Sequence, residues 1–285
     1  MKARSVAFTN LKRGNISHFR FRERKFIRSI VLSKSSLKLK DGDLFIYSNY
    51  TKEPIQVSGD KSYKNISSFE YDCRLSCSYG CWYLIVPTKI KRKRVESNKK
   101  CALDPGVVTF QTIYEPDRVV KIQQNRDVVD KLHTRLDLFR SLRDKREISR
   151  SSFTRRTKKL YKKLKDLVDE LHYKTASWLC SSYSSILLPS FESQEMVKGS
   201  KRRKMNRNLL VLQHYLFKER MKEKCEEYGC SLEIVDESYT SKTCGRCGEL
   251  NDSLNGQRIF NCSKCSLVID RDVNGARNIY LKNCY

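Results

Sequence analysis

The spacing of hydrophobic and polar residues predicts that the first part of the chain is rich in strands. Short apolar runs at Ser29–Leu32 and Leu44–Tyr47 alternate with glycines, a pattern typical of strands joined by turns. The segment Cys81–Pro87 predicts a further strand. Cys101–Phe110 then predicts a strand, a turn and a second strand, after a basic run that joins the two parts.

Beyond residue 120 the apolar residues recur at helical spacing. Residues 123–170 are predicted to be helical, because leucines from Leu132 to Leu167 fall on one face. A break near Arg150–Phe153 divides this stretch into a helical hairpin. The remaining faces of the hairpin are crowded with lysine and arginine.

The last third alternates helices and strands. Helices are predicted over 170–184 and 206–228, the second ending near Gly229, which suits a helix C-cap. The apolar runs Ile186–Pro189 and Ser231–Ser238 predict strands. Strands and helices in this order predict an α/β layer fold.

The net charge of the chain indicates which class of molecule it binds. Lysine and arginine number 58 against 32 acidic residues, which gives a net charge of +26. A polyanion is therefore expected as partner, and phosphate backbones are the usual one because binding releases counterions. With no apolar run of about 18 residues and no signal peptide after Met1, we expect no membrane partner and a soluble, intracellular protein.

Two basic runs leave the compartment open. They are Lys89–Arg94 and Lys201–Lys204, and each suits either a phosphate contact or a nuclear import signal. The expected location is the nucleus in a eukaryotic host, including a virus-infected cell, and the cytoplasm otherwise.

Four of the twelve cysteines form two C-x-x-C pairs, at Cys244, Cys247, Cys262 and Cys265. Each pair supplies two thiolates from one tight turn, and two pairs complete the tetrahedron that Zn2+ requires. A redox dithiol would need only one pair. The sequence therefore predicts a zinc ribbon over residues 240–268. Because four thiolates leave no open position, this zinc is expected to be structural.

The other eight cysteines show no such pairing. Three of them, Cys73, Cys77 and Cys81, lie among residues typical of strands and are interpreted as buried or incidental thiols. The remaining five are Cys101, Cys180, Cys225, Cys230 and Cys284.

Carboxylates at the ends of predicted elements are candidate ligands of Mg2+. Asp104 ends an apolar strand, and Asp270 and Asp272 open the last predicted helix, where Asp272 is the better candidate. Gly275 and Ala276 allow that helix to pack closely. A single aspartate at a strand end is more often a cap or a surface residue. A nuclease that uses two metal ions needs several carboxylates together, and their combination here favours that site.

Four segments together resemble the TnpB (OrfB) family of transposon-encoded proteins, whose eukaryotic and viral branch is Fanzor. They are Asp104–Gly106, Tyr239–Gly248, Phe260–Cys265 and Asp270–Ile279, and the resemblance covers about residues 80–280. It implies an RNase H-like (RuvC) nuclease domain over 99–285, with a helical insertion about 123–170 and the zinc ribbon. It also implies a β-rich, wedge-like nucleic-acid-binding domain over 1–98.

The resemblance also implies the activity and its residues. Members of the family cut DNA under the direction of a guide RNA, with Mg2+ held by an Asp, a Glu and an Asp. The two aspartates match Asp104 and Asp272, but the middle position matches Pro189, which cannot bind a metal. Fanzor-like members use a Glu just before the ribbon, which here is Glu237. Glu192 is the alternative.

The basic side chains of the helical hairpin are expected to contact the phosphates of DNA and of a guide RNA. They are Arg140, Arg143, Lys145, Arg155, Arg156, Lys158 and Lys159. Contacts of this kind carry no sequence information, because base pairing with the guide supplies it. A solvated helix face is the other interpretation.

Two alternatives to an endonuclease stay open. The short region before Asp104 and the proline at position 189 suit a catalytically inactive, zinc-containing DNA- or RNA-binding protein, or a transposition accessory factor. A transposase that joins strands is the other, since RNase H-like folds support that chemistry. Both alternatives keep the zinc and the basic surface.

Overall fold

The structure is a computed structural model that describes residues 9–15, 28–41, 43–57, 68–90, 92–93, 97–198, 202–252 and 257–284. The chain divides into two compact units, Met1–Lys89 and Ile90–Tyr285. The assignment of 1–98 as a wedge-like domain and 99–285 as a nuclease domain stays a prediction. Several residues of the predicted turns and basic runs lie outside the described part of the chain: Gly42, Gly59, Lys91, Arg94 and Lys201.

The first unit contains two small antiparallel sheets. Its strands are β1 (Ser29–Leu32), β2 (Leu37–Lys40), β3 (Asp43–Ile46), β4 (Cys73–Ser78) and β5 (Cys81–Ile85). One sheet has the order β1-β4-β5, and β2 pairs with β3 in the other. Leu32, Leu37, Leu44, Phe69 and Cys73 form their core. The predicted strands at Ser29 and Cys81 are confirmed, the second ending two residues early.

The second unit is built on a five-stranded sheet. Its strands are β6 (Lys100–Pro105), β7 (Gln111–Glu115), β8 (Arg118–Ile122), β9 (Ser185–Pro189) and β10 (Ser231–Val235). The order across the sheet is β10-β9-β6-β7-β8. Strands β6, β7 and β8 form an antiparallel meander, while β9 and β10 run parallel to β6.

Among the described residues of this unit, six helices accompany the sheet. They are α1 (Arg126–Asp144), α2 (Arg150–Ser182), α3 (Ser193–Val197), α4 (Arg203–Val211), α5 (His214–Tyr228) and α6 (Arg271–Cys284). Two short strands, β11 (Ile259–Asn261) and β12 (Val268–Asp270), pair just before α6. The predicted α/β class is confirmed in its coarse form, as a mixed α/β fold.

Alternation along β6 distributes its side chains between two cores. Cys101 and Leu103 join the core that includes residues of α2 and α5. Ala102 points the other way and packs with Leu187 and with Ile279 of α6. Both faces of the central strand are therefore covered by helices, which explains why Cys101, Ala102 and Leu103 are all apolar.

The boundaries of the helical hairpin differ from the prediction. The break lies between Asp144 and Arg150, and the hydroxyl of Ser149 accepts a hydrogen bond from the Ser152 amide, 3.2 Å away. Ser149 is thus the N-cap, a role that serine favours. The helix predicted separately over 170–184 is wrong, because α2 runs on to Ser182 as its buried stripe continues.

The helix predicted over 206–228 is also interrupted. It consists of α4 and α5, and Gln213 between them has a left-handed backbone with φ of 47°. A residue in that conformation cannot continue a right-handed helix. The predicted end at Gly229 is confirmed, since this glycine has φ of 69° and caps α5.

Candidate functional site

Asp104 lies at the C-terminal end of the central strand β6. Strand alternation puts its side chain on the same face as Ala102, which α6 covers. Part of the residue still reaches solvent, yet protein atoms crowd the carboxylate. Burial, followed by the negative charges of Asp272 and Glu237, raises the pKa of Asp104 well above its usual value. The structure therefore brings these three predicted carboxylates within electrostatic reach of one another.

Asp270 has a separate role at the start of α6. One of its carboxylate oxygens accepts hydrogen bonds from the amides of Asp272 (3.1 Å) and Val273 (3.2 Å), as an N-cap does. The other oxygen lies 2.7 Å from Nζ of Lys121. Although burial opposes it, these hydrogen bonds lower the pKa of Asp270. Asp270 thus caps the helix. Its charge also raises the pKa of Asp104, but less than the charges of Asp272 and Glu237 do.

The approach of α6 to Asp104 depends on a glycine. A Cβ built on Gly275 would stand 2.9 Å from Oδ2 of Asp104. Real Cβ atoms do not approach oxygen so closely, so any larger residue would displace the carboxylate. The close packing expected of Gly275 and Ala276 is confirmed, and both are buried.

Glu237 lies two residues beyond the end of β10. In the parallel register Ala102 pairs with Leu187, and Val235 pairs with Pro189. Asp104 and Glu237 each lie two residues beyond these pairs, at the carboxyl ends of the strands on either side of β9. Burial, and then the charge of Asp236, raises the pKa of Glu237.

Glu192, the alternative to Glu237, is exposed in the loop after β9. Its carbonyl accepts the 3.3 Å hydrogen bond of the Met196 amide at the start of α3. Within the described residues, the only sets of three or more ligand atoms that all lie within 4.8 Å of one another are formed by cysteines. At least one pair among the three carboxylates is therefore more than 4.8 Å apart.

The four cysteines of the predicted ribbon come together. All four sulfurs lie within 4.8 Å of one another. Sγ of Cys244 is 3.6 Å from that of Cys265, and Sγ of Cys247 is 3.5 Å from that of Cys262. A tetrahedral Zn2+ with Zn–S bonds of about 2.3 Å needs sulfurs roughly 3.8 Å apart. The donor set and its spacing thus fit zinc.

Two buried asparagines fasten the ribbon to α6. Oδ1 of Asn274 accepts a hydrogen bond from the Gly245 amide (3.0 Å), and its Nδ2 donates to the Thr243 carbonyl (2.7 Å). Nδ2 of Asn278 donates to the carbonyls of Thr240 (2.7 Å) and Thr243 (2.6 Å). The helix that carries Asp272 is therefore held by the first cysteine knuckle of the ribbon and the turn before it. Both asparagines belong to the Asp270–Ile279 motif, but the sequence did not predict this role, although two asparagines four positions apart share one helix face.

The seven basic residues predicted to contact phosphates are all exposed on α1, on α2 and in the turn between them. Three of them also make contacts within the hairpin. Arg140 donates to Asp137 (3.0 Å) and to the hydroxyl of Tyr161 (2.9 Å). Arg143 lies over the ring of Phe153, and Arg156 lies over a ring on α1. These contacts therefore hold the side chains of Arg140, Arg143 and Arg156 partly in place.

Comparison with known proteins identifies the class of fold. Residues 214–279 match the Cas12f1-like TNB domain family. The fold resembles that in a cryo-EM structure of a CRISPR-Cas12f ternary complex, with a TM-score of 0.50, 18% identity, and coverage of 90% of this chain and 60% of that one.

The part of the chain that the structure describes holds no helix long and apolar enough to cross a membrane.

Sequence relatives narrow the class to a family. A putative transposase of Paramecium bursaria Chlorella virus 1 is 32% identical over 97% of this chain and 65% of its own length. A TnpB-like protein of Acanthamoeba polyphaga mimivirus is 26% identical over 70% of this chain and 40% of its own. These matches confirm the predicted resemblance to the TnpB family. The chain spans about two thirds or less of the length of these relatives.

Proposed function

We propose that this chain is a metal-dependent endonuclease of a transposable element, guided by RNA and acting on DNA. One observation carries the proposal: three acidic side chains from distant parts of the chain converge at one edge of the sheet, where burial and mutual repulsion raise the pKa of Asp104. Perturbed carboxylates that cluster in this way are typical of functional sites. The names of the relatives support the same class, since one of them is a CRISPR-associated endodeoxyribonuclease Cas12f1 that matches 25% of this chain at 39% identity.

The sheet supports an RNase H-like (RuvC) assignment for this domain. Three antiparallel strands are followed by two strands parallel to the first, in the order β8-β7-β6-β9-β10. The first aspartate lies on the central strand, and the last lies on the helix that covers one face. This is the arrangement that the resemblance to the TnpB family implies.

The three carboxylates suit Mg2+ in number and chemistry. A hard cation prefers carboxylate oxygens, and a buried group of like charges is relieved when a cation neutralises it. Bound Mg2+ would supply a polarised phosphodiester and an activated water. Asp104, Glu237 and Asp272 would hold it, while Gly275 leaves room for the Asp104 carboxylate between sheet and helix. Zinc in the ribbon has a structural role in this proposal, because its four thiolates leave no open position.

DNA and a guide RNA are the proposed partners. The net charge of +26 requires a polyanion. Lys145, Arg155, Lys158 and Lys159 are exposed at one end of the hairpin and would neutralise phosphates. The nuclear or cytoplasmic location follows the host and stays a prediction.

The test is to purify the full chain from cells without nuclease treatment and to sequence the RNA that copurifies. DNA that matches the RNA is then incubated with the complex and Mg2+. A discrete RNA, with guided cutting that vanishes in Asp104→Ala, is the expected result. Heterogeneous RNA and no cutting with Mg2+ or Mn2+ would overturn the proposal.

A pair of glutamate variants tests the third ligand. We expect Glu237→Ala to lose Mg2+-dependent cutting and Glu192→Ala to retain it, because Glu192 is exposed in a loop while Glu237 acts on Asp104. The reverse result would assign the role to Glu192. Full activity in both variants would leave the two aspartates as the only carboxylates of the site.

An inactive nucleic-acid-binding protein is the second candidate. Pro189 favours it, since the final position of β9, the strand between β6 and β10, carries no ligand. Such a protein would bind nucleic acid equally with and without Mg2+. Joined products in an assay with labelled element ends would instead indicate a strand-transferring transposase.

A further inference from the structure

A second group of sulfurs lies outside the ribbon. Cys180 is near the end of α2, Cys225 is in the last turn of α5, and Cys230 follows that helix. Their three sulfurs all lie within 4.8 Å of one another, and those of Cys180 and Cys225 are 3.5 Å apart. This spacing equals that of Cys247 and Cys262 in the ribbon, which is 3.5 Å.

The end of α5 brings two of these sulfurs to the same side. Gly229 caps the helix in the left-handed conformation, and the Cys230 amide donates a 3.1 Å hydrogen bond to the Cys225 carbonyl. In this type of helix ending, the two residues joined by that bond place their side chains in contact. The turn therefore resembles the Cys-x-x-Cys turns of the ribbon, except that four residues instead of two separate Cys225 from Cys230.

A fourth cysteine lies in the same core. Cys101 of β6 is fully buried together with Cys180 and Cys225. Its sulfur is not among those that all lie within 4.8 Å of one another, so the group at ligand spacing consists of Cys180, Cys225 and Cys230.

We propose that Cys180, Cys225 and Cys230 bind a second thiophilic metal ion of the Zn2+ type. Three sulfurs at ligand spacing from two helices and a capping turn make a preformed donor set, and soft thiolates select zinc-like ions. Each thiol that binds releases its proton to solvent, so the ion replaces the protons. Cys180 and Cys225 are buried, and Cys230 is less buried than the other two. The site would join α2 and α5 on the face of the sheet opposite to α6.

Metal content of the full chain tests this proposal directly. Protein purified under reducing conditions with Zn2+, then freed of loosely bound ions with a weak chelator, is measured by inductively coupled plasma mass spectrometry. We expect two zinc ions per chain in the wild type, and one each in Cys180→Ala and in the ribbon variant Cys262→Ser. Cys73→Ala is the matched control, because Cys73 is buried in the other unit and should leave the count at two. One zinc ion in the wild type, with the count unchanged in Cys180→Ala, would overturn the proposal.

A second measurement does not depend on how well the variants fold. Thiols of the wild type are counted with a thiol reagent in denaturant and chelator. All 12 cysteines should react, because the sulfurs bind an ion and not each other. Ten reactive thiols, with mass spectrometry locating a Cys180–Cys225 disulfide, would overturn the metal site.

Discussion

Gly275 of α6 lies directly against the carboxylate of Asp104, so that a Cβ at position 275 would stand 2.9 Å from Oδ2. The contact joins the last helix of the second unit to its central strand, at the group whose pKa is raised by burial and by the charges of Asp272 and Glu237. Glycine is needed at this helical position because it leaves space for the Asp104 carboxylate, and not because the backbone turns there.

Gly275→Ala should separate helix stability from site geometry. Alanine in a helix is favoured over glycine by about 0.5–1 kcal/mol, but its methyl group would displace the Asp104 carboxylate. We expect Mg2+-dependent DNA cleavage to fall by about 10- to 100-fold, the range seen when a group that orients a metal ligand is removed. In the Asp104→Ala background the same change should raise stability in thermal unfolding, because the clash is gone. Cleavage at the wild-type rate by Gly275→Ala would show that the site tolerates the shift.

Asp270 and Asp272 should respond differently to the same substitution. Asp270→Asn keeps a good N-cap and loses the ion pair with Lys121, which is only partly buried, so we expect a cost of about 1 kcal/mol or less and retained cleavage. Asp272→Asn removes a proposed metal ligand and should reduce cleavage by about 100-fold or more. Thermal unfolding and cleavage rates measured on both variants check this. If Asp270→Asn loses cleavage instead, the assignment of the last carboxylate is wrong.

The hairpin should contribute to affinity through counterion release. Replacing Arg155, Lys158 and Lys159 together with alanine should weaken binding to any duplex and reduce the slope of log affinity against log salt by roughly 0.9 for each phosphate that is no longer neutralised. Fluorescence anisotropy at several salt concentrations measures both quantities. Lys174→Ala is the control, because that lysine lies on the same helix but pairs with Glu170. An unchanged slope in the triple variant would indicate a solvated face.

Stability should decline in acid because of His172, which is fully buried. Its Nε2 lies 2.9 Å from the Leu212 carbonyl and its Nδ1 lies 3.0 Å from the Arg220 guanidinium, so the ring is neutral with its proton on Nε2. Burial, with the positive charge of Arg220, lowers the pKa of His172 to about 4. The unfolded chain therefore binds the proton first, and the stabilisation is complete above the ordinary pKa of 6.5 and declines as pH falls towards 4.

Urea unfolding at pH 7.5 and pH 5 measures this effect. His172 should account for a loss of about 2 kcal/mol between these values. His172→Gln should be less stable at pH 7.5 and should show a smaller difference between the two pH values. A difference as large as that of the wild type would mean that other groups cause the acid sensitivity.

Features encoded by local spacing are predictable from the sequence, and features made by tertiary packing are not. The ribbon cysteines and Asp104 in its apolar strand are local signals. In the structure the four cysteines lie together, and Asp104 lies near the other two predicted carboxylates. The helix boundaries near Ser149 and Gln213 escape prediction, because a cap or a left-handed residue is decided by one backbone angle. The grouping of Cys180 with Cys225 has no sequence signal, since 44 residues lie between them in the chain. The hydrogen bonds of Asn274 likewise join α6 to the ribbon, and these two elements meet only in the folded chain.

The packing of α6 on β6 has a consequence for the synthesis of the protein. Asp104 and Asp272 are 168 positions apart in the chain. A ribosome that adds roughly 5–20 residues per second needs about 10–30 s to pass from one to the other. Later in that interval the nascent chain already contains the basic hairpin, but it still lacks α6, which carries Asp272. If the proposed function holds, an aborted translation product that ends before α6 would bind nucleic acid but would not cut it.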